Sequence, residues 1–156
     1  MLAKLVKILP KNEIADECHD GRGLLMTRYY LTPRIFGIRL VLHQFHRSDN
    51  DRHYHDHPWN FISLILKGGY IEHFPFQGIP IEKVHCAGHI IKRPKEWRHW
   101  VELLHKPHAD GYDFYIVPEY EECWTLVLLY GQRRDWGFWT EQGWVKNDKY
   151  DCRGQY

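Results

Sequence analysis

The sequence predicts an all-β fold, a sandwich or barrel made of many short strands. Short runs of β-branched and aromatic residues alternate with turn formers, and helical periodicity is weak outside residues 1–15. A parallel α/β sheet would need helical segments between its strands, so this pattern favours an antiparallel architecture. Hydrophobic residues make up 44% of the chain and aromatic residues 15%, which excludes a disordered polymer.

The strands follow one another along the chain and are separated by recognisable turns. Gly68-Gly69 offers a tight turn between two of them. Pro75, Gly78 and Pro80 are expected to break the chain shortly afterwards, because proline cannot donate to a β-ladder. The predicted strands are 24–31, 36–45, 59–66, 70–74, 81–84, 89–93, 98–103, 113–117, 123–130, 136–139 and 143–145.

Length and charge favour one domain over residues 1–156, large enough to bury a core. Lys and Arg total 21 and Asp and Glu total 20, so no excess of positive charge indicates a nucleic-acid partner. Four widely spaced cysteines favour reduced thiols, and we find no signal peptide and no apolar run of about 18–20 residues. We therefore expect a cytoplasmic protein with no membrane partner.

Three histidines alternate in the stretch HYHDHPW, at His53, His55 and His57. On a strand these side chains would share one face, whereas on a helix the middle one would point away. Pro58 favours the strand, because the residue before a proline is pushed out of the α region. Two imidazoles on one strand face can ligate a transition metal, and His99 is the candidate for a third ligand. The sequence thus predicts a metal site, with His53 as a further candidate ligand.

The spacing that follows the histidine pair resembles the first motif of cupins, G-x5-H-x-H-x3–4-E-x6-G. His55 and His57 take its two histidine positions, and a glycine follows at the required distance. The glutamate of the motif would fall where this chain has Phe61 or Ile62. The resemblance therefore implies three histidine ligands without the usual glutamate, as in thiol dioxygenases, which are also cupins.

The region before His99 resembles the second cupin motif, G-x5-P-x-G-x2-H-x3-N. Gly88, Pro94 and His99 match its spacing, whereas Glu96 replaces its second glycine and Leu103 its asparagine. The patterns HDHPW, LxGGYxE, WTL and WGF…GW are also similar to small cupins from bacterial and phage genomes. The resemblance implies a cupin-type double-stranded β-helix, a jelly-roll barrel, with a short N-terminal extension.

The same resemblance implies a small-molecule substrate and one divalent transition metal. Iron(II) is expected for an oxidoreductase of the dioxygenase type, while zinc or nickel could occupy the same ligands. Two alternatives stay open. One is a metal-independent sugar isomerase or epimerase with His55 or His99 as base, although alternation puts Glu102, which could orient the base, on the face opposite His99. The other is a non-catalytic ligand-binding or regulatory cupin.

Some charged side chains could also contribute to the site. Arg39 and the pair Arg133-Arg134 could bind an anionic substrate, although such arginines are more often surface residues. Asp56 points away from the ligand face, where it could support the site or lie exposed in a turn. The acidic loop at 46–52 lacks the glycine and glutamate of an EF-hand, so we interpret it as solvated.

Alternation also predicts which apolar residues lie near the histidines. Four tryptophans of the last quarter are expected to close the barrel end or to form a homodimer interface. Residues sharing a face with His57 or His99 are Trp59, Phe61, Ser63, Ile65, Val101 and Leu103. The four tryptophans are Trp124, Trp136, Trp139 and Trp144.

Overall fold

A computed structural model describes residues 9–15, 24–49, 53–104 and 122–151 of the chain. Within these ranges the protein is all-β, as predicted, and contains no helix that could cross a membrane. The strands are β1 (Lys11–Ala15), β2 (Leu24–Tyr30), β3 (Arg39–Phe45), β4 (Tyr54–His55), β5 (Asn60–Lys67), β6 (Gly69–Phe76), β7 (Ile79–Cys86), β8 (Ile90–Arg93), β9 (Trp100–Leu103), β10 (Cys123–Tyr130), β11 (Gly137–Thr140) and β12 (Gly143–Lys146).

The strands pair in three antiparallel sheets. The largest has six strands in the order β1-β2-β3-β10-β5-β8, and the two smaller sheets have the orders β7-β6-β9 and β12-β11-β4. Strand β10 lies between β3 and β5 although it follows them by more than fifty residues in the chain. Neighbours that are distant in sequence are characteristic of jelly rolls, and they bring side chains from both halves of the chain to one interior.

The two prolines expected to break the chain lie instead inside the hairpin of β6 and β7. Pro75 and Pro80 face each other across this hairpin. The turn at 77–78 has a positive φ at both residues, so Phe76 and Ile79 form the closing pair that exchanges hydrogen bonds. The prolines occupy the next pair, which exchanges none, and their missing N–H groups therefore remove no bond between these strands.

The predicted N-terminal extension adds a strand to the large sheet. Strand β1 pairs with β2 along the sheet's edge, so the helical periodicity of residues 1–15 does not produce a helix at Lys11–Ala15. The predicted strand at 113–117 lies outside the described residues. The other predicted strands are found with ends shifted by a few residues.

Apolar side chains between the sheets form the core that carries the site. Trp124, only 1% exposed, packs with Leu42 and stacks on Tyr29 at 6.0 Å between ring centroids. Ile65 and Leu103, which alternation places on the histidine faces, belong to a second cluster of fully buried residues. These two side chains are therefore core residues, and they do not line the cavity at the histidines.

Candidate metal centre

The structure brings His55, His57 and His99 together from the two motif regions. An isolated antiparallel bridge links His55 to His99 through two backbone hydrogen bonds of 3.0 Å. One ring nitrogen from each of the three imidazoles lies within 4.8 Å of the others, and His57 Nε2 is 3.0 Å from His99 Nε2. Three convergent imidazoles of this kind could hold a metal ion.

The separation of these nitrogens suits a shared ion. Two nitrogens that bind one metal at about 2.1 Å lie about 3.0 to 3.4 Å apart, depending on octahedral or tetrahedral angles. The 3.0 Å between His57 Nε2 and His99 Nε2 falls in that range. Two lone pairs at this distance repel each other unless a metal ion or a proton lies between them. The donor set therefore fits a transition metal.

Buried carboxylates face the other nitrogen of two of the rings. His99 Nδ1 lies 2.7 Å from Glu72 Oε1, and His55 Nδ1 lies 3.3 Å from Asp49 Oδ2. Glu72 is 0% exposed and Asp49 is 8% exposed. A carboxylate hydrogen-bonded to Nδ1, as Glu72 is to His99, fixes the tautomer that presents Nε2 as the ligand atom. Asp49 thus lies beside the site, and for residues 47–49, which are buried, the interpretation of this loop as solvated is wrong.

Glu72 is the centre of a hydrogen-bond network that the sequence analysis missed. Its carboxylate accepts hydrogen bonds from Arg93 Nε at 2.9 Å and Trp97 Nε1 at 3.0 Å, and His85 Nε2 lies at 3.0 Å. Burial alone would raise the pKa of Glu72, but hydrogen bonds and positive charge from His99 and Arg93 lower that pKa below its usual range. The ionised carboxylate holds His99 in place.

Phe61 occupies one of the two positions, 61 and 62, at which the first motif can have its glutamate. Its ring centroid lies 4.9 Å from that of His57 and 6.3 Å from that of His99. Burial, followed by the charges of His99 and His55, lowers the pKa of His57 well below its ordinary value, which favours the neutral imidazole that a metal requires. Among the described residues, no carboxylate joins the group. The donor set is three histidines.

His53 is not part of this group. Its Nδ1 lies 3.0 Å from the hydroxyl of Tyr150, whose ring stacks on Phe138 at 3.7 Å. Phe138 in turn packs against His55, with ring centroids 5.9 Å apart. Strand β4 contains only Tyr54 and His55, so regular alternation ends before His53 and does not carry its ring to the other three histidines.

Asp56 supports the histidine segment from the opposite side. It is 1% exposed, so it does not lie in an exposed turn. Its carboxylate accepts hydrogen bonds from the Gly137 amide at 2.8 Å and Trp144 Nε1 at 3.0 Å, and pairs with Arg134. Arg134 Nε also donates to the carbonyl oxygen of His57 at 3.2 Å. Arg134 therefore acts on the backbone of the site and is not among the residues lining the cavity.

A cavity of about 310 Å³ lies in front of the three histidines. Its volume is at the lower end of the range for small-molecule sites, about 300 to 1,000 Å³. Most of its wall is apolar or aromatic, including Trp59, Phe61 and Val101, which alternation places near the histidines. Trp136 also lines it and packs against His55, with ring centroids 6.2 Å apart. The cavity is suited to a small organic molecule.

The charged side chains of the cavity wall are mainly cationic. Among the described residues that line it, the arginines are Arg28, Arg34, Arg39 and Arg133, and Asp49 provides the sole carboxylate. Arg39 and Arg133, which the sequence favours as surface residues, thus face the cavity. A wall of this composition generates a positive potential beside the three histidines.

Comparison with known proteins supports the fold. No family model and no curated protein matches the sequence. Among solved structures, Rru_A2000 from Rhodospirillum rubrum, a cupin-2 domain, aligns with a TM-score of 0.56 and 13% identity over 85% of this chain and 78% of that one. The protein has the cupin fold.

Solved structures of proteins with quite different names also align with this chain. The polyketide cyclase RemF from Streptomyces resistomycificus aligns with a TM-score of 0.57 and 16% identity over 84% of this chain and 80% of its own. The iron(II) protein FeII HppE aligns with a TM-score of 0.52 and 11% identity over 79% of this chain. This chain spans only 57% of the length of FeII HppE. These likenesses establish the cupin fold and leave the reaction to the residues of the site.

Proposed function

We propose that this cupin-fold protein is a metal-dependent oxidoreductase of the dioxygenase type that acts on a small polar organic molecule. His55, His57 and His99 would hold one divalent transition metal, for which we propose iron(II). Such an ion on three neutral imidazoles keeps open positions and supplies Lewis acidity and, as iron, reactivity toward dioxygen. The observation that carries the proposal is the convergence of the three rings at one cavity.

The surrounding residues orient the ligands and limit access of water. Glu72 presents Nε2 of His99 toward the shared point, and the Asp49 carboxylate lies 3.3 Å from His55 Nδ1. The rings of Phe61 and Trp136 flank His57 and His55 and cover the group with apolar surface. Iron is also the metal named for FeII HppE, which shares the fold.

Metal content tests the proposal directly. We expect about one metal ion per chain in the wild-type protein, measured by plasma mass spectrometry on untagged protein, and less than a tenth of that in His57→Ala and His99→Ala. His53→Ala is the matched control, since His53 lies in the same segment but contacts Tyr150, and it should keep its metal. An iron-loaded wild type should then consume oxygen with its substrate. Equal metal in all four proteins, or none in any, would contradict the proposal.

One observation favours a second candidate, the metal-independent isomerase or epimerase. The carboxylate that orients His99 is Glu72, at 2.7 Å, whereas Glu102 lies 2.9 Å from His73 Nε2. A histidine paired with a buried carboxylate can act as a general base without a metal. Isomerase activity that survives chelator treatment and His57→Ala, but is lost in His99→Ala, would establish this candidate and exclude the oxidoreductase.

Replacing Phe61 by Glu should restore the missing carboxylate of the motif. Without metal, the new carboxyl group is buried beside His57 and should lower the free energy of unfolding by about 1–3 kcal/mol. With excess zinc, the variant should gain more stability than the wild type, because a fourth ligand becomes available. Urea unfolding with chelator and with zinc measures both effects. Phe61→Gln controls for size and polarity, and an equal gain in both variants would refute a fourth ligand.

A further inference from the structure

We propose that Arg28 and His43 form an oxyanion-binding subsite in the cavity. The substrate is then a small molecule with an apolar body and one carboxylate, phosphate or phosphonate group. This inference deepens the function proposed above and rests on it for the reacting end of the molecule, while the subsite itself needs no metal.

The two side chains stand next to each other on the inner face of the large sheet. Arg28 on β2 is the direct cross-strand partner of His43 on β3, and both line the cavity. Directly opposite residues of an antiparallel pair have Cβ atoms about 4.5–5.5 Å apart. The oxygens of a single oxyanion can therefore reach both side chains at once.

Both side chains have buried polar atoms without a partner. Arg28 Nε and His43 Nε2 are inaccessible to solvent and have no hydrogen-bond partner among the described residues. A buried donor left unpaired costs about 1–3 kcal/mol, and more when it is charged. An oxyanion would satisfy both atoms, and a guanidinium fork suits two oxygens of one such group.

The electrostatic setting of the pair also favours an anion. Burial lowers the pKa of His43 well below its ordinary value, and the charge of Arg28 lowers it further, so the imidazole is a neutral hydrogen-bonding group at neutral pH. No described carboxylate forms an ion pair with Arg28 within 4.0 Å. A partly desolvated guanidinium without a counter-ion binds an anion more strongly than one already paired.

The remaining arginines of the cavity extend the positive potential toward solvent. Arg34 and Arg133 lie over the ring of Trp59, at 4.3 and 5.8 Å from its centroid, and Arg39 lies over Tyr30 at 4.6 Å. Arg133 is exposed. Burial and the charges of Arg39 and Arg133 lower the pKa of Arg34, which shows that like charges are held together here. Such a cluster attracts anions to the cavity, while Arg28 and His43 bind them inside it.

Apolar side chains of the cavity wall lie between this subsite and the three histidines, where the apolar body of the ligand would bind. In the sheet order, β3 and β10 separate β2 from β5, the strand that carries Phe61 beside His57. Val41 and Val127 are cross-strand partners on those two intervening strands, and both line the cavity. A molecule whose anion binds Arg28 would therefore lay an aliphatic or aromatic body along these valines toward the three histidines.

Calorimetric binding to the chelator-treated full chain tests the subsite apart from the metal. The probes are benzoate and phenylphosphonate, with benzamide as their neutral counterpart. We expect the anions to bind the wild type at least about tenfold more tightly than benzamide. Arg28→Met should weaken anion binding about 20-fold or more and leave benzamide within about twofold. Arg133→Met, the matched control at the cavity's outer end, should weaken the anions less than about threefold.

Further variants and a stability measurement test whether anion binding depends specifically on Arg28. Arg28→Lys should retain part of the anion affinity, and His53→Ala, whose side chain contacts Tyr150 and does not line the cavity, should retain all of it. Arg28→Met should unfold at the same urea concentration as the wild type or a higher one, because it removes a buried charge without a described counter-ion. Unchanged anion binding in Arg28→Met, or an equal loss in Arg133→Met, would overturn the assignment to Arg28 and His43. Preference for only one probe would define the oxyanion as carboxylate or phosphonate.

Discussion

Glu72→Gln is expected to lower the free energy of unfolding by roughly 3–5 kcal/mol, because it leaves the Arg93 guanidinium, whose side chain is 16% exposed, without its counter-ion. The carboxylate is 0% exposed and bonds Arg93, Trp97 and His99. An amide in its place keeps one acceptor oxygen and turns an NH₂ group toward groups that are themselves donors. Urea unfolding followed by circular dichroism at pH 7, with chelator present, measures the loss without a contribution from metal.

A surface carboxylate provides the matched control for this experiment. The Glu82 side chain is 70% exposed and lies 3.4 Å from His73 Nδ1, so Glu82→Gln should change the stability by less than about 0.5 kcal/mol. If Glu72→Gln behaved like Glu82→Gln, the network around Glu72 would not stabilise the fold. If both lost several kcal/mol, the effect would come from net charge and not from the buried network.

Because folding lowers the pKa of Glu72, the difference in stability between the wild type and Glu72→Gln should depend on pH. A carboxyl group whose pKa is depressed by folding contributes stability above its unfolded pKa of about 4.3, and this contribution is lost as the pH falls through the folded value. The gap between wild type and Glu72→Gln should therefore be full at pH 7 and narrow below about pH 4. A gap that widens in acid would contradict the ionised state assigned to Glu72.

The same substitution should also weaken the metal centre. The carboxylate holds the Nδ1 proton of His99, and loss of such a partner typically costs 10–100-fold in metal affinity, an order-of-magnitude expectation for the proposed site. Competition with a chelator of known affinity measures this change. Because Glu72 is not itself among the three convergent ligands, metal stoichiometry at saturation should stay at one ion per chain.

The sequence predicts the convergence of His55, His57 and His99 because its signals are local. Alternation in the segment before Pro58 favours His55 and His57 on one face, and the spacing of Pro94 and His99 supplies the third ring. Both signals depend only on neighbouring residues. His53 shows their limit, because the prediction of a shared face assumes a continuous strand, and β4 covers only two residues.

The carboxylates around the ligands could not be assigned from the sequence, since their partners lie on other strands. Glu72 on β6 meets Arg93 on β8 and His99 just before β9, a combination that depends on how the sheets face each other. Glu72 is the glutamate of the pattern LxGGYxE, but this pattern does not indicate what the carboxylate does. Asp49 is not predicted as part of the site because its loop lacks an EF-hand pattern. The absence of that pattern argues against a calcium site but says nothing about whether the side chain is buried.

The cationic cavity depends on strand register in the same way. Arg28 meets His43 only because β2 and β3 pair with a particular offset, and a slip of β2 by one residue would turn Arg28 to the other face of the sheet, away from His43. Arg39 and Arg133 resemble ordinary surface arginines in sequence, and only the closure of the sheets turns them toward the cavity. The arginines of the cavity wall thus depend on tertiary structure more than the convergence of the three histidines does.

The second large effect is expected for Asp56→Asn, which should lower the free energy of unfolding by roughly 2–4 kcal/mol. Asp56 is 1% exposed and joins the histidine segment to the last hairpin through Gly137 and Trp144. The change removes the counter-ion of Arg134, whose side chain is 30% exposed, so solvent offsets part of the cost. Urea unfolding in the presence of chelator is the measurement.

Asp135→Asn is the matched control for this change, since the Asp135 side chain is 66% exposed and pairs with Lys146 at 3.3 Å. Its effect should stay below about 0.5 kcal/mol.

Asp56→Asn should also reduce metal affinity, because Asp56 lies between His55 and His57 and its partner Arg134 donates to the carbonyl oxygen of His57. A loss of stability with unchanged metal affinity would mean that the bridge between His55 and His99 alone positions the ligands. A loss of both would show that the last hairpin, through one buried carboxylate, holds the histidine segment in its metal-binding conformation.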